Sequence, residues 1–406
     1  MATTSTDRIV TLDVIRGVAV MGIFSVNVIA FAMIEAAYFN PPVYGFHTLA
    51  DRLMWLLNFI FVDGKMRSLF SMLFGASMLL VAERAEAAGL SPVAVHYRRM
   101  AVLLLFGFAH FHFLWFGDIL TSYALTGMVV FAFWRASAPT LAAWAAWAYT
   151  LAFLLSMVEA TGLAQQIAYA RSSGNLEAVG YYGPTADAIR RDLAIHATWP
   201  AFVAEMTGPR LWNPVYVLRS LFPETFALML LGMAGFRSGF LTGRWSPASY
   251  RAVATWGIAA GAALSAGLAA WVWATGFQLP NTVTALETWS MPAHPVMALG
   301  YAALIILLAR GRGLIAERVA AVGRAAFTNY LGTSLLATLI FNGSGLGLYG
   351  RLSRFEAWLL VPLFWALMLL WSKPWLDRFN YGPFEWLWRS LSRMKLQPMR
   401  RTALAT

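Results

Sequence analysis

The densest group of residues that could do chemistry is a pair of histidines and an aspartate: His110, His112 and Asp118, with Trp115 between them. If His110 and Asp118 meet, the carboxylate would fix the imidazole tautomer and raise its basicity, which gives an acid/base pair. A structural explanation fits the same residues, since Asp118 can cap a following helix and the histidines can hydrogen-bond between helices. The residues alone leave both explanations open.

A metal site is not predicted at these histidines. His110 and His112 are two positions apart, so on a helix they point to different faces, and no third ligand is evident. The chain has 0 Cys, which excludes a thiol nucleophile, disulfides, cysteine-based zinc sites and iron–sulfur clusters.

A second group of polar residues lies in the first apolar run. Asp13 and Arg16 are spaced to pair on one helix face, and we interpret them as a structural motif near the helix end. Asn27 lies deeper in the same run, where its amide needs a partner. It could join helices, or it could donate to an oxyanion in a catalytic site.

Tyr38, Lys65 and Arg67 are candidate substrate-binding residues at the opposite end of that run, together with His112 and Trp115. Two cations at a break between helices could hold a carboxylate or phosphate, or they could pair with Asp63 and Asp118. Three further ionisable residues are expected at the same level: Glu224, Glu287 and His294.

Arg98 and Arg99 precede the third apolar run and suit the phosphates of a nucleotide or coenzyme. The excess of basic residues that membrane proteins carry in their cytoplasmic loops explains the same two arginines.

The elements that must position these residues are membrane-spanning helices. Only 12% of the 406 residues are charged, against about 25% in a soluble domain. Apolar runs of spanning length predict an all-α integral membrane protein with about ten transmembrane helices. The predicted spans are 12–34, 66–83, 98–116, 118–134, 140–159, 220–240, 250–274, 294–309, 323–342 and 355–372.

The distribution of Lys and Arg orients these spans. Basic residues are concentrated in alternate gaps and in the C-terminal tail, which places both termini in the cytoplasm. This topology accounts for the net charge of +11 without nucleic acid as a partner, because no basic helix with interleaved aromatic residues occurs elsewhere.

Three stretches are predicted not to span, within a single membrane domain over 1–406. Asp63, Gly64 and Lys65 interrupt an apolar run, so residues 51–64 are expected to be interfacial or re-entrant. The outer loop 160–212 and the basic cytoplasmic tail 373–406 should each carry an amphipathic interfacial helix, near 187–205 and 383–394 respectively.

With these residues in place, the sequence resembles the YeiB-like family of bacterial inner-membrane proteins over nearly its whole length. The resemblance is carried by Leu12-Asp13-x-x-Arg16-Gly17, Asn40-Pro41, Lys65 with Leu69-Phe70-x-x-Leu73-Phe74-Gly75, His110-x4-Trp115-x-Gly117-Asp118-Ile119-Leu120, Gly323-Arg324, Asn329-Tyr330 and Gly382-Pro383-x-Glu385-Trp386-x-Trp388-Arg389.

The family's fold is similar to that of the transmembrane acyltransferase superfamily, which includes heparan-alpha-glucosaminide N-acetyltransferase. That enzyme moves an acetyl group from cytosolic acetyl-CoA to a sugar amine across the membrane. The resemblance matches Asn27 to an asparagine of that enzyme. This chain has Tyr38 where the enzyme places its catalytic histidine, so His110 would act instead.

The resemblance implies a membrane acyltransferase with His110, Asp118 and Asn27 as catalytic residues. Acyl-CoA would be the co-substrate, bound inside near Arg98 and Arg99, and the acceptor would be a small molecule, lipid or glycan at the outer face. The lipid bilayer and a second copy of the chain are the candidate partners. Two alternatives stay open: a proton-coupled transporter or exporter of a small amphiphile, with the histidine and aspartate as a proton relay, and a non-catalytic membrane scaffold.

Overall fold

The computed structural model describes residues 10–174, 179–180, 182–311 and 313–401. Across these ranges the chain is helical, and the only strand-like feature described is an isolated bridge between Phe379 and Arg400. The α-helices are α1 (Val10–Ala32), α2 (Ala36–Phe39), α3 (Leu49–Phe61), α4 (Lys65–Ala87), α5 (Pro92–Phe113), α6 (Leu120–Val130), α7 (Ala138–Ser173), α8 (Ala186–His196), α9 (Trp199–Thr207), α10 (Asn213–Tyr216), α11 (Leu218–Arg237), α12 (Pro247–Ala274), α13 (Leu279–Thr284), α14 (Ala293–Ala309), α15 (Leu314–Arg324), α16 (Ala326–Phe341), α17 (Arg354–Trp358), α18 (Leu360–Arg378) and α19 (Pro383–Arg393).

Each of the ten predicted spans falls on a helix, but fewer helices have the length and apolarity of a membrane span. Among the described residues, 5 segments satisfy both criteria, and the number rises to 6 if the pair 279–289 and 293–309, bent by 54°, is one broken span. The helices α6 and α16 are apolar but have only 11 and 16 residues, fewer than the roughly 20 that a bilayer requires.

The first helix, α1, is the centre of the bundle. It packs against α4, α14, α15, α16 and α18, and glycines make the closest of these contacts. A Cβ on Gly17 would lie 2.1 Å from the carbonyl oxygen of Val319, and one on Gly323 would lie 1.8 Å from that of Asp13. The absence of side chains there lets the two backbones approach, as in other membrane helix pairs.

The predicted pairing of Asp13 and Arg16 is present at the start of α1. Arg16 Nη1 donates to Asp13 Oδ1 at 3.1 Å, and Nη2 donates to Ser77 Oγ at 2.9 Å. Arg16 also approaches the Gly323 carbonyl oxygen at 3.5 Å. The motif therefore ties α1 to α4 and to α15.

The predicted break near residue 63 separates α3 from α4. Gly64 adopts a φ of +71°, and a Cβ there would lie 2.1 Å from His294 Nε2. A side chain would be strained by the backbone conformation and would also collide with the imidazole. The break is thus a place where only glycine fits.

Two predicted boundaries on the long loop are wrong. The run predicted to end at 159 belongs to α7, which continues to Ser173 and has 36 residues in all, about 54 Å at ~1.5 Å per residue. Helix-forming residues continue after the strongly apolar stretch ends. The single amphipathic helix predicted over 187–205 is two helices, α8 and α9, since Thr198 caps the second by accepting from Ala201 N.

Candidate functional site

His110 and Asp118 meet, as one of the two interpretations of the sequence requires. His110 lies at the end of α5, and its Nδ1 is 3.0 Å from Asp118 Oδ1. Asp118 also caps α6, accepting hydrogen bonds from Leu120 N at 3.1 Å and Thr121 N at 2.9 Å. The acid/base geometry and the capping role therefore coexist.

The other imidazole nitrogen of His110 faces a serine that the sequence did not single out. His110 Nε2 lies 2.9 Å from Ser334 Oγ on α16. An ionised Asp118 can only accept, so Nδ1 carries the proton and Nε2 can accept from the Ser334 hydroxyl. The single proton of that hydroxyl has a second acceptor, the Tyr330 carbonyl oxygen, at 3.2 Å. An aspartate, a histidine and a serine in this order form a relay that can activate the hydroxyl oxygen as a nucleophile.

A small cavity adjoins this relay. It is lined by Ala30, Phe31, Leu114, Trp115, His196, Phe202, Thr338, Phe341, Asn342 and Tyr349. His110 precedes Leu114 by one helical turn on α5, and Ser334 precedes Thr338 by one turn on α16. Residues four apart share a helix face, so both reactive groups lie directly beneath the cavity lining.

Asn27 occupies the corresponding position on α1. It precedes Ala30 and Phe31, which line the cavity, by one turn on the same helix face. Its side chain is half-buried and makes no hydrogen bond to any residue that the structure describes. Three helices thus place Asn27, His110 and Ser334 one turn below the same cavity.

Trp115 separates the cavity from His110. Its ring stacks on Phe31 with the centroids 4.2 Å apart and meets the His110 ring edge-on at 6.2 Å. Its Nε1 donates to the Ala30 carbonyl oxygen at 3.4 Å. Because His110 is only 1% exposed, access from the cavity requires movement of this indole.

The candidate substrate residue Tyr38 lies at a different cavity, on the other side of α1. That cavity is lined by Val26, Ile29, Tyr38, Trp55, Asn58, Phe59, Asp63 and Arg354. Tyr38 donates to Asp63 Oδ1 at 2.8 Å. Lys65 is fully buried beside it, and its Nζ donates to the Phe59 carbonyl oxygen at 2.7 Å.

Arg67 pairs with neither Asp63 nor Asp118. Its Nη2 lies 2.6 Å from Glu224 Oε2 on α11, and Glu224 Oε1 lies 3.1 Å from His294 Nδ1 on α14. His294 Nε2 continues the network to Ser290 Oγ at 3.1 Å. A buried charge attracts whichever opposite charge the packing brings closest, and packing of α11 on α4 supplies Glu224.

His112 and Arg99 have structural contacts, and Arg98 does not share them. The ring nitrogens of His112 lie 2.7 Å from the Phe108 carbonyl oxygen and 3.1 Å from that of Leu211, which holds the segment between α9 and α10 against α5. Arg99 lies over the Trp388 ring at 4.2 Å, whereas Arg98 is exposed. Within the described ranges, no group of three or more potential metal-ligating side chains occurs.

Ser334 is the site residue that sequence reasoning missed. It stands in an apolar helix beside another hydroxyl residue, Thr333, and such residues usually join membrane helices. Its partner His110 is far away along the chain, so no local spacing reveals the pair.

The C-terminal part of the chain, residues 235–395, matches the family model DUF418, described as a protein of unknown function. The uncharacterized protein YxaH of Bacillus subtilis (strain 168) is 32% identical, with 98% of each chain covered. The uncharacterized protein YeiB of Escherichia coli (strain K12) is 31% identical over 95% of this chain and 96% of its own. A Bacillus acidopullulyticus protein, the uncharacterized 39.9 kDa protein in the amylase 3' region, is 24% identical over 97% of this chain and 96% of its own. No solved structure matches the chain.

Proposed function

We propose that this chain, which belongs to the YeiB-like family of proteins of unknown function, is a membrane-embedded acyltransferase. It moves an acyl group from acyl-CoA on the cytoplasmic side to a hydroxyl or amine acceptor at the outer face of the bacterial inner membrane. The observation that supports this most is the relay Asp118–His110–Ser334 beneath a cavity. The proposal includes ten spans with both termini inside.

The chemistry follows from the atoms in contact. His110 Nε2 takes the proton of Ser334 Oγ, and the oxygen attacks the thioester carbonyl carbon. The half-buried amide of Asn27 donates to the oxyanion that forms. When the tetrahedral intermediate collapses, the C–S bond breaks, and the coenzyme A thiolate takes the proton from His110.

The acceptor completes the cycle from the cavity. Its hydroxyl or amine gives a proton to His110 and attacks the acyl ester on Ser334, which restores the serine hydroxyl as the ester bond breaks. Asp118 keeps the imidazole in the required tautomer throughout and stabilises the transient imidazolium. The stacked rings of Phe31 and Trp115 keep water away from the acyl ester until the acceptor displaces the Trp115 ring.

The test is release of coenzyme A by the purified protein in lipid nanodiscs, with acetyl-CoA and longer acyl-CoA esters as donors. A thiol reagent reports only coenzyme A, because the chain contains 0 Cys. Without an acceptor, we expect one equivalent of thiol per protein and an acyl ester on the peptide that contains Ser334, detected by mass spectrometry.

Ser334→Ala should abolish the ester, and His110→Gln should slow its formation by roughly 10²–10⁴-fold. The matched control is Ser25→Ala, because Ser25 is also buried in a central helix and only donates to the Gly22 carbonyl oxygen. If no acyl-CoA gives thiol release, or if Ser334→Ala reacts as the wild type does, the proposal is wrong.

A proton-coupled transporter is the second candidate, and the buried network of Arg67, Glu224, His294 and Ser290 supports it. These residues join α4, α11 and α14 inside the bundle, and ionisable side chains among membrane helices often carry protons. Here a proton would pass between Glu224 and His294, because Glu224 Oε1 and His294 Nδ1 lie 3.1 Å apart.

Proteoliposomes loaded with a pH-sensitive dye distinguish the two functions. A transporter would give substrate-dependent proton flux that Glu224→Gln abolishes, whereas Ser334→Ala would leave it intact. Absence of flux in both orientations of the pH gradient would remove this candidate.

A further inference from the structure

The C-terminal helix α19 packs against α5 and gathers a group of arginines at the inner end of α5. Arg99 of α5 lies over the Trp388 ring with its guanidinium carbon 4.2 Å from the centroid. Trp388 Nε1 in turn donates to the Arg99 carbonyl oxygen at 3.0 Å. Stacking fixes the plane of the guanidinium, so its N–H groups point in set directions.

Arg389, the residue that follows Trp388 on α19, is held in the same way. Its guanidinium carbon lies 4.7 Å from the centroid of Tyr381. Burial lowers the pKa of Arg389, and the charges of Arg393 and Arg84 lower it further, although Tyr381 and Glu385 act in the opposite direction. Like charges are therefore gathered at this point of the surface.

The nearby carboxylates are already engaged. Glu385 accepts from Phe327 N at 2.6 Å, and from Thr328 N and Thr328 Oγ, so it serves as the cap of α16. Asp377 lies 3.2 Å from Lys373. Within the described ranges, no ion pair involves Arg99, Arg389 or Arg393.

From this arrangement we propose that Arg99, Arg389 and Arg393 form a binding site for a phosphate group at the inner face. Two half-buried guanidiniums with fixed planes offer paired N–H donors, the geometry that phosphate oxygens accept. A bound dianion would also relieve the repulsion among the arginines. The third arginine is exposed at the helix end and would steer the anion towards the site.

Two sources supply this chemistry. One is the nucleotide part of the acyl donor, an identification that rests on the proposed acyltransferase function. The other is the headgroup of an anionic phospholipid in the inner leaflet, which is independent of that function. The experiment needs one arm for each source.

The first arm measures calorimetric binding of adenosine 3′,5′-diphosphate, which carries coenzyme A phosphates without a reactive thioester. The protein is the full chain, and acyl transfer cannot interfere because this ligand has no acyl group. The second arm measures retention of phosphatidylglycerol against phosphatidylcholine by native mass spectrometry. Each arm is repeated with Arg99→Gln and with Arg389→Gln.

The matched control is Arg251→Gln, since Arg251 is an exposed arginine at the start of α12. We expect Arg99→Gln and Arg389→Gln each to weaken anion binding about tenfold or more, with the thermal midpoint unchanged, and Arg251→Gln to bind as the parent does. If Arg99→Gln and Arg389→Gln lose nucleotide binding, the phosphate comes from the acyl donor. If they lose the preference for phosphatidylglycerol, it comes from the lipid headgroup.

The proposal fails if neither anion binds, or if binding is the same in all three variants. It can stand when the acyltransferase proposal fails, since phosphatidylglycerol binding without any thioester cleavage would separate the two. If Arg389→Gln unfolds the protein, Arg393→Gln replaces it. The Arg393 side chain is exposed, and its one hydrogen bond to a described residue is to Gln397 Oε1.

Discussion

Asp118 serves two roles with one carboxylate, and these roles can be separated chemically. It receives the imidazole N–H of His110 and two backbone N–H groups of α6. An amide in its place keeps an acceptor oxygen for the helix, but it loses the charge that stabilises an imidazolium. Asparagine is about as good a helix cap as aspartate.

We therefore expect Asp118→Asn to leave the unfolding free energy within ~1 kcal/mol of wild type and to lower acyl-ester formation by roughly 10²-fold or more. Asp118→Ala should lose both activity and stability. Thermal unfolding and thiol release, measured on the same preparations, give the comparison. Equal losses of activity and stability in Asp118→Asn would mean that the carboxylate is only a cap.

Two glycines with nearly the same backbone conformation provide a second test at this scale. Gly64 has a φ of +71° with the His294 ring against it. Gly89 has a φ of +69°, and a Cβ added there would have no atom of another described residue beyond its chain neighbours within 4 Å. An alanine at either position meets backbone strain of about 1–2 kcal/mol. Only Gly64→Ala also displaces an imidazole.

Gly64→Ala should therefore cost about 1–3 kcal/mol more than Gly89→Ala, which is the usual cost of overpacking. Differential scanning calorimetry of the two variants in the same detergent measures this difference. Equal thermal midpoints of the two variants would show that the backbone between α3 and α4 can move away from His294 and accommodate the methyl group.

At the scale of elements, a buried polar cluster docks helix α8 onto the bundle. Tyr349 donates to Asp192 Oδ1 at 2.5 Å and stacks on His196 with centroids 3.9 Å apart. Burial alone would raise the pKa of Asp192, but hydrogen bonds from His196 and Tyr349 and the charge of Arg210 outweigh it, so the pKa is lowered. His196 and Tyr349 also line the cavity above Ser334.

A carboxyl group with a lowered pKa in the folded protein stabilises it above its unfolded pKa of about 3.9. This stabilisation disappears as the pH falls through the lower, folded pKa. The protection of α8 amides against hydrogen exchange, corrected for the pH dependence of intrinsic exchange, should therefore fall below about pH 4 in the wild type. In Asp192→Asn this protection should be lower already at neutral pH and should vary less with acidification, and a pH-independent wild type would contradict this account.

For the whole molecule, the positions of helices were predictable and their contacts were not. Every span predicted from an apolar run lies in helical residues. Gly64 and its charged neighbours correctly predicted the break before α4. Hydropathy reports contact with lipid or core, however, not backbone hydrogen bonding, so it missed the continuation of α7 to Ser173. Local spacing also predicted the Asp13–Arg16 pair correctly.

The candidate site was predictable only in its local half. His110 and Asp118 are close along the chain, and a turn between two helices brings them together. Ser334 and Glu224 meet their partners because helices that are far apart along the chain pack together. A single sequence does not show which helices pack together. The charges of Lys65 and Arg67 were visible, but their partners depended on which helix lies beside them.

The sidedness of the chain can be tested with single cysteines, since the protein has none of its own. With ten spans, Phe113→Cys and Thr207→Cys should react with a membrane-impermeant maleimide added to intact cells. Ala88→Cys and Ser137→Cys should react only after permeabilisation. Labelling of Ser137→Cys from outside would show that the short helix α6 does not cross.

Glu385 of α19 connects the proposed anion site to the helix that carries Ser334. It holds the first N–H groups of α16, and the same helix carries Ser334 about 9 Å further along at ~1.5 Å per residue. A ligand that shifts α19 would also shift α16, and it would thereby change the affinity of the site at Ser334 for an acceptor. Such coupling is reciprocal, so an outer acceptor that binds tenfold more tightly in the presence of the inner anion must tighten that anion's binding tenfold.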